Sequence, residues 1–307
     1  MSIVLQVLLL IVGFAMLIKG ADFFVDGSSG IARKFGIPQL VIGLTIVAMG
    51  TSAPEAAVSI AAALKGNADI TIGNIVGSNI LNVLIILGLT SVICPLALAR
   101  STMRFEIPFM IGISILLLVQ GLDGTISLID GVILIAAFVA YLVYLFWMSQ
   151  KNPEPEEESA QMPLWKALCL AAVGLVLIVL GSNVTVDAAT AIAKFFGLSD
   201  RFIGLTIVAL GTSLPELFTS VTAARKGNAD IAIGNIVGSN IFNILFVVGL
   251  SSLIIPIPFA LAFRTDMLVA IGAGALLLLC SIKKHTLGRW AGALMLCCYA
   301  VYFCTIV

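Results

Sequence analysis

Two stretches of this chain occur twice, each pair 161 residues apart. Residues 43–55 read GLTIVAMGTSAPE and return at 204–216 as GLTIVALGTSLPE; residues 65–82 read KGNADITIGNIVGSNILN and return at 226–243 as KGNADIAIGNIVGSNIFN. The copies agree at 11 of 13 and 16 of 18 positions, while the sequence between them has drifted apart. Any fold for this chain must therefore contain one polar site in two copies. Each copy carries a glutamate, Glu55 or Glu216, in strongly apolar surroundings. A carboxylate there costs about 2.5–3.5 kcal/mol at a helix centre and usually marks an ion or substrate pathway.

The surroundings are apolar enough to be lipid. With 61% hydrophobic and 10% charged residues and a mean hydropathy of +1.18, the chain departs from soluble domains, where about 25% of residues are charged. It reads as an all-α integral membrane protein. Its zero formal net charge provides no basic footprint, so no nucleic acid partner is expected. The apolar start lacks the positive region of a cleaved signal, so the first run is expected to stay as a membrane helix. The six cysteines form no CxxC pair, and with a single histidine, His285, they suit no zinc site. They are expected to be packing residues, and no cofactor is expected.

A spanning helix needs about 20 apolar residues. Ten segments qualify, with cores near 3–25, 37–62, 69–93, 104–121, 126–148, 164–189, 198–223, 230–254, 265–282 and 287–306. Residues 150–163 hold a proline- and glutamate-rich stretch that cannot pack; it divides a first five-helix repeat, 1–149, from a second, 164–307. Five is odd, so the second copy enters the membrane from the opposite side, which predicts ten transmembrane helices in two inverted five-helix repeats. With both termini outside, Arg33, Lys34, Arg100, Arg104, Lys151, Lys166, Arg225, Lys226, Lys283, Lys284 and Arg289 fall inside, against Lys65, Lys194, Arg201 and Arg264 outside. That bias obeys the positive-inside tendency, and the acidic linker is then cytoplasmic.

The repeated blocks carry chemistry at helical spacing. Pro54 has no N–H for the Gly50 carbonyl, so the second segment should break there. Thr51 and Ser52 lie four and three residues before Glu55, on one helical face; Thr212, Ser213, Pro215 and Glu216 repeat the pattern. Ser78 and Asn82, and their copies Ser239 and Asn243, add oxygens at i and i+4. Gly73 and Gly77, with Gly234 and Gly238, form GxxxG spacings suited to close helix packing. The set is oxygen-only, which suits hard cations. Calcium takes 6–8 oxygens in adaptable geometry, and magnesium sheds water reluctantly. Calcium fits best, with sodium competing, because two carboxylates balance one calcium ion, two sodium ions or two protons.

With these four blocks in order, the chain resembles the sodium/calcium exchanger branch of the calcium/cation antiporter superfamily along essentially its whole length. The resemblance implies that Glu55 and Glu216 are the central ligands, that Thr51, Ser52, Thr212, Ser213, Ser78 and Ser239 supply oxygens, that Ala48 and Ala209 contribute carbonyls, and that Asn82 and Asn243 complete the ring. Some relatives carry an aspartate at one of those asparagine positions; both are Asn here, which disfavours potassium co-transport. The expected function is a secondary antiporter that exchanges calcium for sodium by alternating access in a prokaryotic inner membrane, with calcium/proton exchange as the alternative and a cation channel further off. Lipid and the two ions are its expected partners, with no protein partner required. An enzyme is not expected: paired Glu beside Pro makes no aspartyl protease, and the lone His285 has no serine pair.

Overall fold

A computed structural model describes residues 3–151, 162–197 and 209–306. Where α and π turns run on without a break they are taken as one helix. In chain order these are α1 (Ile3–Phe35), α2 (Gln39–Thr51), α3 (Ala53–Leu64), α4 (Ile70–Ile93), α5 (Thr102–Asp123), α6 (Leu128–Lys151), α7 (Leu164–Phe195), α8 (Ala209–Thr212), α9 (Leu214–Arg225), α10 (Ala229–Ile254), α11 (Leu261–Ile282) and α12 (Arg289–Ile306). Seven of the described helices are long and apolar enough to cross a membrane, and α2 with α3, bent by 51° at their junction, makes an eighth. Most of the expected linker, 152–161, and the start of the expected seventh segment, 198–208, lie outside the described residues.

Among the described residues the fold is helical apart from two pairs of two-residue strands. β1 (Leu96–Ala97) pairs antiparallel with β4 (Thr286–Leu287), and β2 (Thr125–Ile126) with β3 (Ile257–Pro258). Adding 161 to β1 gives β3, and adding 161 to β2 gives β4, so each copy of a strand pairs with the other copy of its neighbour. Two further bonds obey the same exchange: Leu98 N–H to the His285 carbonyl at 2.9 Å, and Phe259 N–H to the Gly124 carbonyl at 2.8 Å.

α4 and α10 form the centre. Their apolar windows are 78% and 94% buried, against 22% for α1, so these two helices are enclosed by the others and bring their serines and asparagines into the interior. Gly234 and Gly238 let α10 lie against α2: a Cβ at either would sit within about 3.0 Å of the backbone of Gly43 or Leu44, the close approach that GxxxG spacing permits.

α1 and α7 are longer than their apolar cores, 33 and 32 residues, or roughly 50 Å against a ~30 Å hydrocarbon layer. The expected ends near 25 and 189 follow the charges; the helices continue because small residues go on packing. Gly13 meets Gly181, Gly20 meets Gly174 and Gly27 meets Ala171, backbone against backbone, antiparallel. The acidic side chains inside α1 are met as well: Lys226 Nζ lies 2.8 Å from Asp26 Oδ1 and 3.4 Å from Asp22 Oδ1. Of the cysteines expected to pack, all six are free thiols; Cys94, Cys280 and Cys298 are half-buried, while Cys169, Cys297 and Cys304 are exposed, so the expectation of packing does not hold for those three within the protein.

Candidate functional site

The break predicted by Pro54 falls at Ser52, whose φ of −83° and ψ of 6° leave the helical region. Ser213 repeats it at −93° and 4° between α8 and α9. Each break starts a new helix with Pro and Glu in its first turn, where the helix N-terminus favours an anion. One detail differs from expectation. The Gly50 carbonyl was to be left free by Pro54, yet N–H groups at the cap bond to both Ala48 and Gly50 carbonyls. A tightened turn takes up what the proline releases.

The two breaks face each other. Ser52 Oγ donates to Glu216 Oε1 at 2.8 Å, across 164 residues of sequence, and Ser52 itself lies three residues before Glu55. Thr51 Oγ1 donates to Asn235 Oδ1 at 2.9 Å. Ser239 Oγ donates to the Ala48 carbonyl at 3.4 Å, joining two expected ligand positions. Asn82 and Asn243 begin the π turns of α4 and α10, irregularities that are frequent at functional sites. Ser78 lies one turn before Asn82 on the same face. Ala48, Thr51, Ser52, Glu55, Ser78, Asn82, Ser213, Glu216, Ser239 and Asn243 are all buried. Thr212 is half-buried, and Ala209 opens α8.

Several acceptors within this set find no donor among the described residues. Glu55 Oε2, Glu216 Oε2, Asn82 Oδ1 and Asn243 Oδ1 are buried with no hydrogen-bond partner there, as is Ser213 Oγ. An unsatisfied buried polar atom costs about 1–3 kcal/mol, more when charged. Acceptor oxygens from both halves sharing that condition need a positive partner. The site offers two carboxylates, amide oxygens and hydroxyls but no imidazole or thiolate, so it suits a hard cation and not a soft one.

A second tier of residues went unread in the sequence although it lies inside the repeated blocks. Asn74 Nδ2 donates to the Glu55 carbonyl at 3.3 Å and to Ser59 Oγ at 2.9 Å. Asn235 Nδ2 makes the same two bonds, to the Glu216 carbonyl at 3.3 Å and Ser220 Oγ at 2.9 Å. These amides clamp the first turn of α3 and α9, and hence the direction of each glutamate. Glu106 was also passed over. It is buried in α5, where Tyr144 donates to its Oε1 at 2.7 Å, and position 267, 161 residues on, is a methionine; it stands outside the duplicated set.

A family model for sodium/calcium exchanger protein matches the chain twice, over residues 5–147 and 166–307. The chain is 40% identical over 304 residues to the putative antiporter CaxA of Alkalimonas amylolytica, covering 95% of each. It is 32% identical over 345 residues to the sodium/calcium exchanger MaX1 of Methanosarcina acetivorans, covering 98% of each. Its structure matches a solved form of the sodium-calcium exchanger NCX_Mj with a TM-score of 0.87 at 34% identity, covering 100% of both chains.

Proposed function

The chain belongs to the sodium/calcium exchanger family, a family of membrane antiporters and not of enzymes, and from that premise we propose that it exchanges calcium for sodium across a prokaryotic inner membrane by alternating access. The observation that carries this reading is the buried set of oxygens with no hydrogen-bond partner among the described residues, Glu55 and Glu216 with Asn82 and Asn243, where the two helix breaks meet. Ser52, Thr51, Thr212, Ser213, Ser78, Ser239 and the carbonyls of Ala48 and Ala209 complete the ligand set. Its two negative charges are balanced by one calcium ion or by two sodium ions. Each cargo then displaces the other, and a site that is always filled by one of them but reachable from each side in turn exchanges ions instead of leaking them.

To the eight crossings counted among the described residues, the reading adds α12 and a crossing made of α8 and α9 with the residues before them, for ten transmembrane helices in all. The strand pairing supports their inverted arrangement. β1 and β2 flank the single helix α5 and so lie on opposite faces of a membrane that α5 crosses. β3, the copy of β1, pairs with β2, so equivalent loops of the two halves lie on opposite sides, as inversion requires. In this topology 150–163 is a cytoplasmic linker between the repeats, and both termini are outside. With the native cysteines replaced, Ser159→Cys is expected to resist an impermeant thiol reagent in intact cells and to react after permeabilisation. External labelling of that position in intact cells would reverse the orientation.

Reconstituted into proteoliposomes, the protein is expected to accumulate calcium when an outward sodium gradient is imposed, and to take up little with no gradient. Uptake driven by a proton gradient and indifferent to sodium would replace sodium by protons as the counter-ion. Uptake that needs neither and does not saturate would point to a channel and overturn the antiport reading.

A further inference from the structure

The oxygen and nitrogen of an amide side chain are alike in size, so a buried asparagine offers a cation either a ligand or a repelling N–H group unless something selects its orientation. Asn82 and Asn243 both turn Oδ1 toward the unpartnered set and Nδ2 away from it. The selection comes from two other asparagines. Asn82 Nδ2 donates to Asn240 Oδ1 at 2.9 Å, and Asn243 Nδ2 donates to Asn79 Oδ1 at 3.1 Å. Those partners are in turn oriented by main chain: Asn240 Nδ2 donates to the Asn79 carbonyl at 3.1 Å, and Asn79 Nδ2 to the Asn240 carbonyl at 3.3 Å.

A backbone carbonyl can only accept. It therefore fixes Nδ2 of Asn79 and Asn240, which leaves their Oδ1 atoms facing Asn243 and Asn82, and these must answer with N–H. All four amides are buried, so no water replaces a wrong choice, and a reversed amide would set donor against donor or acceptor against acceptor. We propose that Asn79 and Asn240 are positioning residues: by this relay they aim the carbonyl oxygens of Asn82 and Asn243 at the transported cation, each half of the protein orienting a ligand of the other. The proposal rests on the reading of Asn82 and Asn243 as ligands. It also accounts for the choice of amide at those positions, since an aspartate at 82 would put an oxygen against Asn240 Oδ1.

The test is a double-mutant cycle read by calcium binding to the purified full-length protein, with sodium competition measured alongside. Asn82→Ala is expected to weaken calcium binding. Asn240→Leu, similar in size but unable to accept, is expected to weaken it roughly tenfold, the effect of one misaligned ligand hydrogen-bond partner. The double variant should be no weaker than Asn82→Ala alone, because Asn240 acts through Asn82; a residue that merely holds the helices together would add its own loss. Asn79→Leu with Asn243→Ala forms the mirror cycle. If Asn240→Leu fails to reach the membrane, Asn240→Ser, too short to reach Asn82, replaces it. Full additivity, or unchanged binding in Asn240→Leu beside a weakened Asn82→Ala, overturns the relay and leaves the ligand assignment standing. Unchanged binding in Asn82→Ala overturns both.

Discussion

Glu55→Gln and Glu216→Gln are each expected to abolish calcium exchange while leaving the protein inserted and folded. Glutamine keeps the shape of the side chain and can still accept the Ser52 hydrogen bond seen at Glu216, so packing around the helix breaks is preserved. What is lost is half the charge proposed to balance a divalent ion in a buried site. Removing one partner from a buried charge interaction costs about 2–5 kcal/mol, which near the middle of that range weakens calcium binding by roughly two to three orders of magnitude. Calcium uptake at matched membrane abundance is the measurement. Glu106→Gln is the internal control, because Glu106 is as deeply buried and its Oε2 is likewise without a partner among the described residues, yet it lies in α5 beside Tyr144 and has no copy in the other half. It should transport calcium much as the parent does. Near-normal flux in either Glu55→Gln or Glu216→Gln would end the site assignment; loss of flux in all three would mean that any buried carboxyl in this bundle is needed for folding.

The two glutamates were legible in the sequence because duplication isolates them. A drifted chain that keeps GTSAPE and GTSLPE points to a candidate site, and Pro54 located the break to within two residues of Ser52. The partners of the ligands were harder to read. Asn79 and Asn240 lie in the same repeated blocks as Asn82 and Asn243, but helical periodicity speaks only of residues on one helix. Their role depends on α4 crossing α10, which joins residues 158 to 164 apart. The true length of α1 was hidden for a related reason. Asp22 and Asp26 look like the end of an apolar span until Lys226, some 200 residues on, is found against them. The seam between α1 and α7 was not read from the sequence: Gly13, Gly20 and Gly27 are seven apart and face Gly174 and Gly181, also seven apart. GxxxG spacing alone does not reveal it.

That seam makes a separate prediction about assembly. A Cβ added at Gly20 would stand 2.8 Å from the Ile178 nitrogen, and one at Gly174 would meet the Phe24 nitrogen and stand 2.7 Å from the Gly20 carbonyl oxygen. These obstacles are main chain within helices, which cannot rotate aside as a side chain does. Gly174→Leu must therefore push α1 and α7 apart along the seam, and the cost should exceed the ~1–3 kcal/mol of ordinary overpacking. Between membrane helices there is little hydrophobic gain to offset it, since close packing is itself a main attraction. The expected result is a protein that accumulates poorly, elutes as aggregate after extraction, and melts well below the parent when any monodisperse fraction is recovered. Gly112→Leu serves as the control: Gly112 is exposed on α5 with open space beyond its Cα, so a leucine there meets lipid and should leave melting unchanged. Gly174→Leu protein that melts within roughly 2 °C of the parent, a shift of about 1 kcal/mol for a chain of this order, would show that the helices yield at the seam and that their contact is not the rigid one described. Because Ser182, on α7, also donates to the Gly211 carbonyl at 2.7 Å, just before the second helix break, a wedge driven into the seam should reach the ligand site as well. Any recovered Gly174→Leu protein is expected to bind calcium more weakly, although residue 174 touches no ligand.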